Sequence, residues 1–181
     1  MTWMQTYTGK AWYPMTPRAK DVDIEDIAHA LSLLCRYGGH CRRFYSVAEH
    51  SVLVSHLVPP EYALWGLMHD ASEAYVVDVP RPLKVHLGHY RDMEQRAWQA
   101  IALRFDLPYE MPSVVHQADI DACFIEKGQL MATARHAWMD DEWGMGSHFS
   151  LRAPPSWVWE LGFKPETAKH LFMNRFKELS K

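Results

Sequence analysis

A histidine and an aspartate stand side by side at positions 69 and 70, directly behind the apolar run Leu64, Trp65, Leu67 and Met68. A charge carried into such surroundings needs a partner, because burying it unpaired is costly. Glu73 follows three residues after Asp70. On a helix turning about 100° per residue, Asp70 lies roughly 100° and Glu73 roughly 40° from His69, so one sector holds all three with the Glu between the others. His50 shares an apolar stripe with Val47, Leu53, Val54 and Leu57. Asp119 sits beside Ala118 and Ala122, whereas Asp121 points roughly the other way. A bare His-Asp pair is common at a half-exposed helix end, and a lone His on an apolar face is more often a satisfied core residue. Three apolar faces that each carry a nitrogen or carboxylate donor are better explained together, by a divalent cation that offsets the charges and takes the imidazole lone pairs. Eleven histidines in 181 residues fit that search for metal or proton chemistry.

The elements that must position these groups read as helices. Asp23 to Asp26 supply an acidic N-terminus for a segment carrying Ile27, Ala30, Leu31 and Leu34, closed by Gly38-Gly39. Ser46 can cap a second helix, with Glu49 in the capping-box position and Pro59-Pro60 as its stop. The pattern predicts a third helix over about 61–75, a turn at Pro80-Arg81-Pro82, and a fourth helix over about 89–105. A fifth is expected over about 113–138, a loop over 140–156, and a last helix over about 165–179 with Pro165 in its first turn. Residues 1–20, with Gly9, Pro14 and Pro17, read as an irregular arm. No run of alternating β-branched residues stands out. The expected architecture is an all-α helical bundle in one domain spanning 1–181, with 157–181 as its C-terminal helical segment.

Composition narrows the function classes. Apolar residues make up 48% and charged residues 23%, which excludes wholesale disorder. A net charge of −3 gives no footprint for a nucleic-acid polymer. Apolar runs fall far short of the roughly 20 residues of a membrane span, and the N-terminus lacks a signal-peptide pattern. Cys35, Cys41 and Cys123 lack metal-ligand spacing with each other and read as reduced thiols of a cytoplasmic protein.

Three stretches carry a family resemblance: Ser46-Val47-Ala48-Glu49-His50-Ser51, then Met68-His69-Asp70-Ala71-Ser72-Glu73, then Ala118-Asp119. In order and spacing they resemble the H…HD…D motif of the HD-domain metal-dependent phosphohydrolases. Val77-Asp78-Val79-Pro80 with Lys84 behind it is similar to the 5′-deoxynucleotidase branch. Asp26 to Leu31 and Arg42-Arg43-Phe44-Tyr45 are similar to the phage and prophage branch, which includes a dATP triphosphohydrolase. Phe163 stands where the family more often has Trp.

The resemblance implies an HD-domain bundle in which His50, His69, Asp70 and Asp119 ligate one divalent transition metal (Mn, Co, Fe, Ni or Zn). It makes Glu73 the general acid or base and sets Asp78 against a sugar hydroxyl. Arg42, Arg43 and Lys84 are candidates to neutralise phosphate, Phe44 to stack on a base, and His40 to line the pocket. His86 and His89 are a weaker candidate for a second metal, and His148 and Arg152 for a lid. Trp157 and Trp159 read as packing, and Asp140 to Glu142 as a solvated loop edge. The expected substrate is a deoxynucleoside 5′-monophosphate, with a deoxynucleoside triphosphate releasing tripolyphosphate as the alternative. A non-catalytic nucleotide- or metal-binding regulator is the reading from outside the enzymes. The expected partners are a small-molecule nucleotide and, by analogy with relatives, further copies of the chain, with no membrane.

Overall fold

The computed structural model describes residues 2–134 and 160–181. Asp140 to Glu142, His148, Arg152, Trp157 and Trp159, and the far end of the expected fifth helix, lie outside the described residues. The architecture is all-α, with one two-stranded ribbon among the described residues.

That ribbon corrects the expected arm. Strands β1 (Met4–Gln5) and β2 (Ala11–Trp12) pair antiparallel within residues 1–20. Tertiary contacts hold it where local pattern was weak. Trp12 is fully buried and stacks on Tyr75 with ring centroids 3.8 Å apart. Thr8 donates from its backbone N–H and its hydroxyl to the buried carboxylate of Asp26.

Helix α1 (Ile24–Leu33) starts where Asp23 accepts from the Glu25 N–H, and it ends at Leu33, before the glycine pair. Helix α2 (Val47–Leu57) starts at Ser46, whose hydroxyl accepts from the Glu49 N–H. Only half of the expected capping box forms. The Glu49 carboxylate reaches across the molecule and accepts from the backbone N–H groups of Gly162 and Phe163, at 2.8 and 2.9 Å. It thereby fastens the segment before the last helix to α2. Every residue of α2 except His56 is buried. A helix enclosed on all sides is a central one, and α2 packs against α1, α3 (Ala63–Met68), α7 (Ser113–Leu130) and α8 (Pro165–Leu179).

The expected third helix is not continuous. It comprises a 3₁₀ turn at Pro60–Tyr62, then α3, a tightened stretch over 69–72, and α4 (Glu73–Val76). Backbone bonds of i to i−3 type cross that stretch, from Ala71 to Met68 and from Glu73 to Asp70. In such a turn residues three apart eclipse one another, so Glu73 stands over Asp70 instead of between Asp70 and His69. Pro80-Arg81-Pro82 leads into a short helix, α5 (Arg81–Lys84), where a turn was expected. Helix α6 (Gly88–Phe105) and α8 match expectation, and α7 closes at Leu130.

Two apolar clusters meet along α2. One joins Trp12, Ile27, Leu31, Leu67, Met68, Ile101 and Phe172. The other joins Tyr45, Leu53, Val54, Trp65, Val115, Ala118 and Leu161. Gly66 sets the distance between α2 and α3: a Cβ there would lie 3.2 Å from the Ser55 Cα and from a Val58 methyl. No helix among the described residues is long and apolar enough to cross a membrane.

Candidate metal centre and cleft

His50 from α2, His69 and Asp70 from the tightened stretch after α3, and Asp119 from α7 converge. The two imidazole Nε2 atoms are 3.2 Å apart. Asp119 Oδ1 lies 3.1 Å from His50 Nε2 and 3.8 Å from His69 Nε2. Asp70 Oδ2 lies 3.2 Å from His69 Nε2 and 3.6 Å from His50 Nε2. His50, His69 and Asp119 form a donor group, with one donor atom of each within 4.8 Å of the others. Asp70 is not in that group, but its carboxylate approaches both imidazoles as closely as Asp119 does, and we count it in the cluster on those distances.

The outer contacts orient the rings. His50 Nδ1 faces Glu126 Oε1 at 2.5 Å, and His69 Nδ1 faces the Gly66 carbonyl at 2.8 Å. Each Nδ1–H is thus matched to an acceptor, which leaves each Nε2 with its lone pair turned inward. Two lone pairs 3.2 Å apart repel unless a proton or cation lies between them. Ligand atoms about 2.1 Å from one metal and roughly 90–110° apart at it would be separated by roughly 3.0–3.4 Å. Three of the five distances in the cluster, at 3.1, 3.2 and 3.2 Å, fall in that range and two are slightly wider. The side chains therefore fit a single divalent cation, and the structure leaves its identity open.

The charges in the cluster depend on one another, and a cation bound there would take the place of the proton on His50. Burial pushes the Asp70 and Asp119 carboxyls up, but the neighbouring imidazoles outweigh it and hold both below the ordinary carboxylate range. Burial and Arg36 push the His50 ring down, while Glu126 and Asp119 outweigh them and lift it to about 9. Glu126 is itself fully buried, and it accepts from Tyr37 at 2.6 Å, Tyr45 at 2.9 Å and Arg36 Nε at 3.2 Å. Burial would raise its carboxyl, but Arg36 and His50 keep it below its usual value.

A cleft of about 570 Å³ opens beside the cluster, lined among others by Arg36, Tyr37, Asp70, Glu73, Asp78 and Asp119. Glu73 is buried, and its Oε2 has no hydrogen-bond partner among the described residues. Burial, Asp70 and Asp78 drive its carboxyl well above the usual range. Asp78 also faces the cleft, presented by Val77, a β-branched residue at φ 67° whose carbonyl accepts from the Tyr90 hydroxyl at 2.6 Å.

The basic candidates fall differently from expectation. Lys84 lines the cleft, but its ammonium is shared between Glu94 at 2.7 Å and Glu73 at 3.4 Å. Arg42, Arg43 and His40 are exposed and are absent from the cleft's described lining. Arg43 lies against Gly162, where a Cβ would come 2.7 Å from its Nε. Phe44 is half-buried and also absent from that lining, and His86 and His89 are exposed and outside the donor cluster. The guanidinium beside the donor cluster belongs to Arg36, 3.5 Å from Asp70, and Arg81 also lines the cleft. Sequence reasoning missed Arg36, Tyr37 and Glu126. Glu126 had a usable signal, since seven residues after Asp119 places it about 20° from the same line on α7. Arg36 and Tyr37 lie in a 3₁₀ turn, Arg36–Gly39, with Tyr37 at φ 58°, where no periodicity marks them.

No family model matches the chain. It is 34% identical over 126 residues, 64% of each chain, to the uncharacterized protein RCAP_rcc00048 of Rhodobacter capsulatus. It is 38% identical over 180 residues, 99% of this chain and 97% of the other, to the uncharacterized protein YfdR of Escherichia coli. With likeness of that degree along nearly the whole of both chains, this chain belongs to the YfdR family.

Proposed function

We propose that the chain is a metal-dependent phosphohydrolase of the HD-domain type, acting on deoxynucleoside 5′-monophosphates. The observation that carries this reading is the meeting of two inward-facing imidazole nitrogens, 3.2 Å apart, with the carboxylates of Asp70 and Asp119 at the edge of an open cleft. His50, His69, Asp70 and Asp119 would hold a divalent transition metal, Mn, Co, Fe, Ni or Zn. When bound, such an ion supplies Lewis acidity toward a phosphoryl oxygen and lowers the pKa of water.

The remaining work belongs to the chain. Arg36 stands beside Asp70 and lines the cleft, where its guanidinium can pair with a phosphate oxygen. Asp78 faces the same space and can accept from a sugar hydroxyl. Glu73 is within the cleft and stacked over Asp70, and its Oε2 is the atom placed to pass a proton at the ester oxygen. Lys84, held by Glu94, keeps the Glu73 carboxyl in place and is not free to meet phosphate by itself.

Elemental analysis of the purified protein and a nucleotide panel read by product mass test the proposal together. Inorganic phosphate from a deoxynucleoside monophosphate, with a transition metal near one per chain, is expected. Tripolyphosphate from a deoxynucleoside triphosphate would move the reading to the alternative reaction. Metal bound at these four residues with no nucleotide hydrolysed, and a Glu73→Ala variant matching the parent in every assay, would refute catalysis.

A further inference from the structure

Cys35 and Cys41 frame the turn that carries Arg36 and Tyr37, and their sulfurs are 3.7 Å apart. Both stems of the turn are fixed. Cys35 pairs with Ser46 in an isolated bridge, flanked by the bond from the Arg36 N–H to the Tyr45 carbonyl at 2.9 Å. Cys41 is followed by Arg42, whose N–H donates to the Leu130 carbonyl at 2.8 Å. Between the stems, Gly38, Gly39 and His40 are exposed. Both thiols are half-buried and free, and the Cys41 thiol also donates to the Arg36 carbonyl at 3.4 Å. A disulfide needs sulfurs about 2.05 Å apart. Closing the gap from 3.7 Å asks for less than about 1 Å of movement by each sulfur, within reach of side-chain rotation. Cys123, the remaining cysteine, contacts the Arg36 guanidinium instead.

We propose that Cys35 and Cys41 are a reversible disulfide-forming pair that locks the Arg36–Tyr37 turn at the wall of the cleft. Hydrogen peroxide serves as oxidant. One thiolate attacks the peroxide oxygen, forms a sulfenic acid and releases water after protonation. The second sulfur then displaces the hydroxyl as a second water, so that two thiols and one peroxide yield one disulfide and two waters. Burial and the Cys35 sulfur push the Cys41 thiol up to about 11. The bond removes the thiol hydrogen that Cys41 gives to the Arg36 carbonyl and closes residues 36–40 into a short ring. Its effect on turnover rests on the phosphohydrolase reading above, whereas the bond itself does not.

The test uses the full chain, loaded with Mn²⁺ and treated with stoichiometric hydrogen peroxide. The expected result is a loss of two hydrogens in intact mass, with peptide mapping that joins residues 35 and 41. Dithiothreitol reverses it. Cys35→Ser and Cys41→Ser each abolish the product, and Cys123→Ser does not. Amide hydrogen exchange over 36–40 slows at least tenfold on oxidation. A stable sulfenic or sulfinic acid on one cysteine, an intermolecular dimer, or an intact dithiol after treatment would overturn the pairing; unchanged exchange would overturn the lock. Phosphate release, where present, is expected to differ at least threefold between the two redox states. Its absence in both states, with the bond mapped and exchange slowed, would count against the phosphohydrolase and leave the pair standing.

Discussion

Glu126 offers the sharpest test of how the donor cluster is held. Its buried carboxylate receives His50 Nδ1, the Tyr37 and Tyr45 hydroxyls and the Arg36 guanidinium. Glu126→Ala would strand all four, and Arg36 would keep only Asp70, at 3.5 Å, as a carboxylate partner in this cluster. Removing one partner of a buried ion pair costs about 3–5 kcal/mol. For a chain of this size each kcal/mol moves Tm by about 2–4 °C, so a fall of roughly 6–20 °C is expected. Glu126→Gln keeps the shape but offers one accepting oxygen, and its amide hydrogens face existing donors. It should cost about 1–3 kcal/mol. The sharper consequence is at the metal: in Glu126→Ala the Nδ1 acceptor is lost, His50 is no longer fixed with Nε2 inward, and affinity should fall about 10–100-fold. Tyr45→Phe is the control, since it removes one donor to the same carboxylate and leaves the His50 contact alone. Isothermal titration of the three proteins with Mn²⁺ and Co²⁺, beside thermal unfolding, separates the effects. If Glu126→Ala binds either ion as tightly as the parent while His50→Ala fails to bind, Glu126 does not orient the ligand and the argument from outer contacts is wrong.

Further outcomes follow from single features. Mn²⁺ or Co²⁺ at 100 times its Kd should stabilise the native chain by about 2.7 kcal/mol, a rise of roughly 5–11 °C in Tm. Asp119→Ala should lose most of that rise, and a full rise in this variant would exclude Asp119 as a ligand. Gly66→Ala inserts a methyl 3.2 Å from the Ser55 Cα and pushes α3, and with it His69, away from His50. Overpacking of about 1–3 kcal/mol should exceed the roughly 1 kcal/mol that alanine gains in a helix, and metal affinity should drop; urea unfolding and titration check both. Val77→Gly should raise stability by about 1 kcal/mol, because release from φ 67° outweighs the added freedom of the unfolded chain; a lower Tm would deny the strain. Asp23 caps α1 and pairs with Lys10 at 2.9 Å. Burial would raise its carboxyl, but Lys10 and the Glu25 N–H hold it below its ordinary value. Its contribution, about 1 kcal/mol by comparison with Asp23→Ala, is therefore complete above the unfolded pKa of about 3.9 and fades as pH falls through the lower folded value. A gap between the two proteins that stays constant from pH 7 to pH 3 would contradict this sign.

The legible parts of this chain were those governed by local rules. Ser46 and Asp23 announced helix starts because a cap is a bond between near neighbours. His50, His69, Asp70 and Asp119 stood out because donors in apolar company are costly without a partner. The illegible parts depend on pairings between distant positions. Nothing near Arg36 or Glu126 in sequence says that the two meet across 90 positions, or that His50 meets Glu126 across 76. Charge and a place just before α2 made Arg42 and Arg43 candidates for phosphate, yet both are exposed, and Arg36 carried no such mark. Lys84 is in the cleft as expected, but only the fold reveals that Glu94 and Glu73 already hold it.

The break in the third helix shows why periodicity fails where the chemistry is densest. A uniform 100° advance is a statement about regular backbone, and it set Glu73 between His69 and Asp70. From Met68 to Tyr75 the chain makes i to i−3 bonds instead, which closes the spiral and brings Asp70 and Glu73 into line. That departure lets a single short stretch serve two ends: Asp70 turns toward the imidazoles, while Glu73 keeps an oxygen unbonded at the cleft. A regular helix would have set Glu73 between His69 and Asp70, within the sector that faces the cation. The residue types were therefore readable from sequence, but their division of labour is a property of irregular backbone, which amphipathic pattern does not encode.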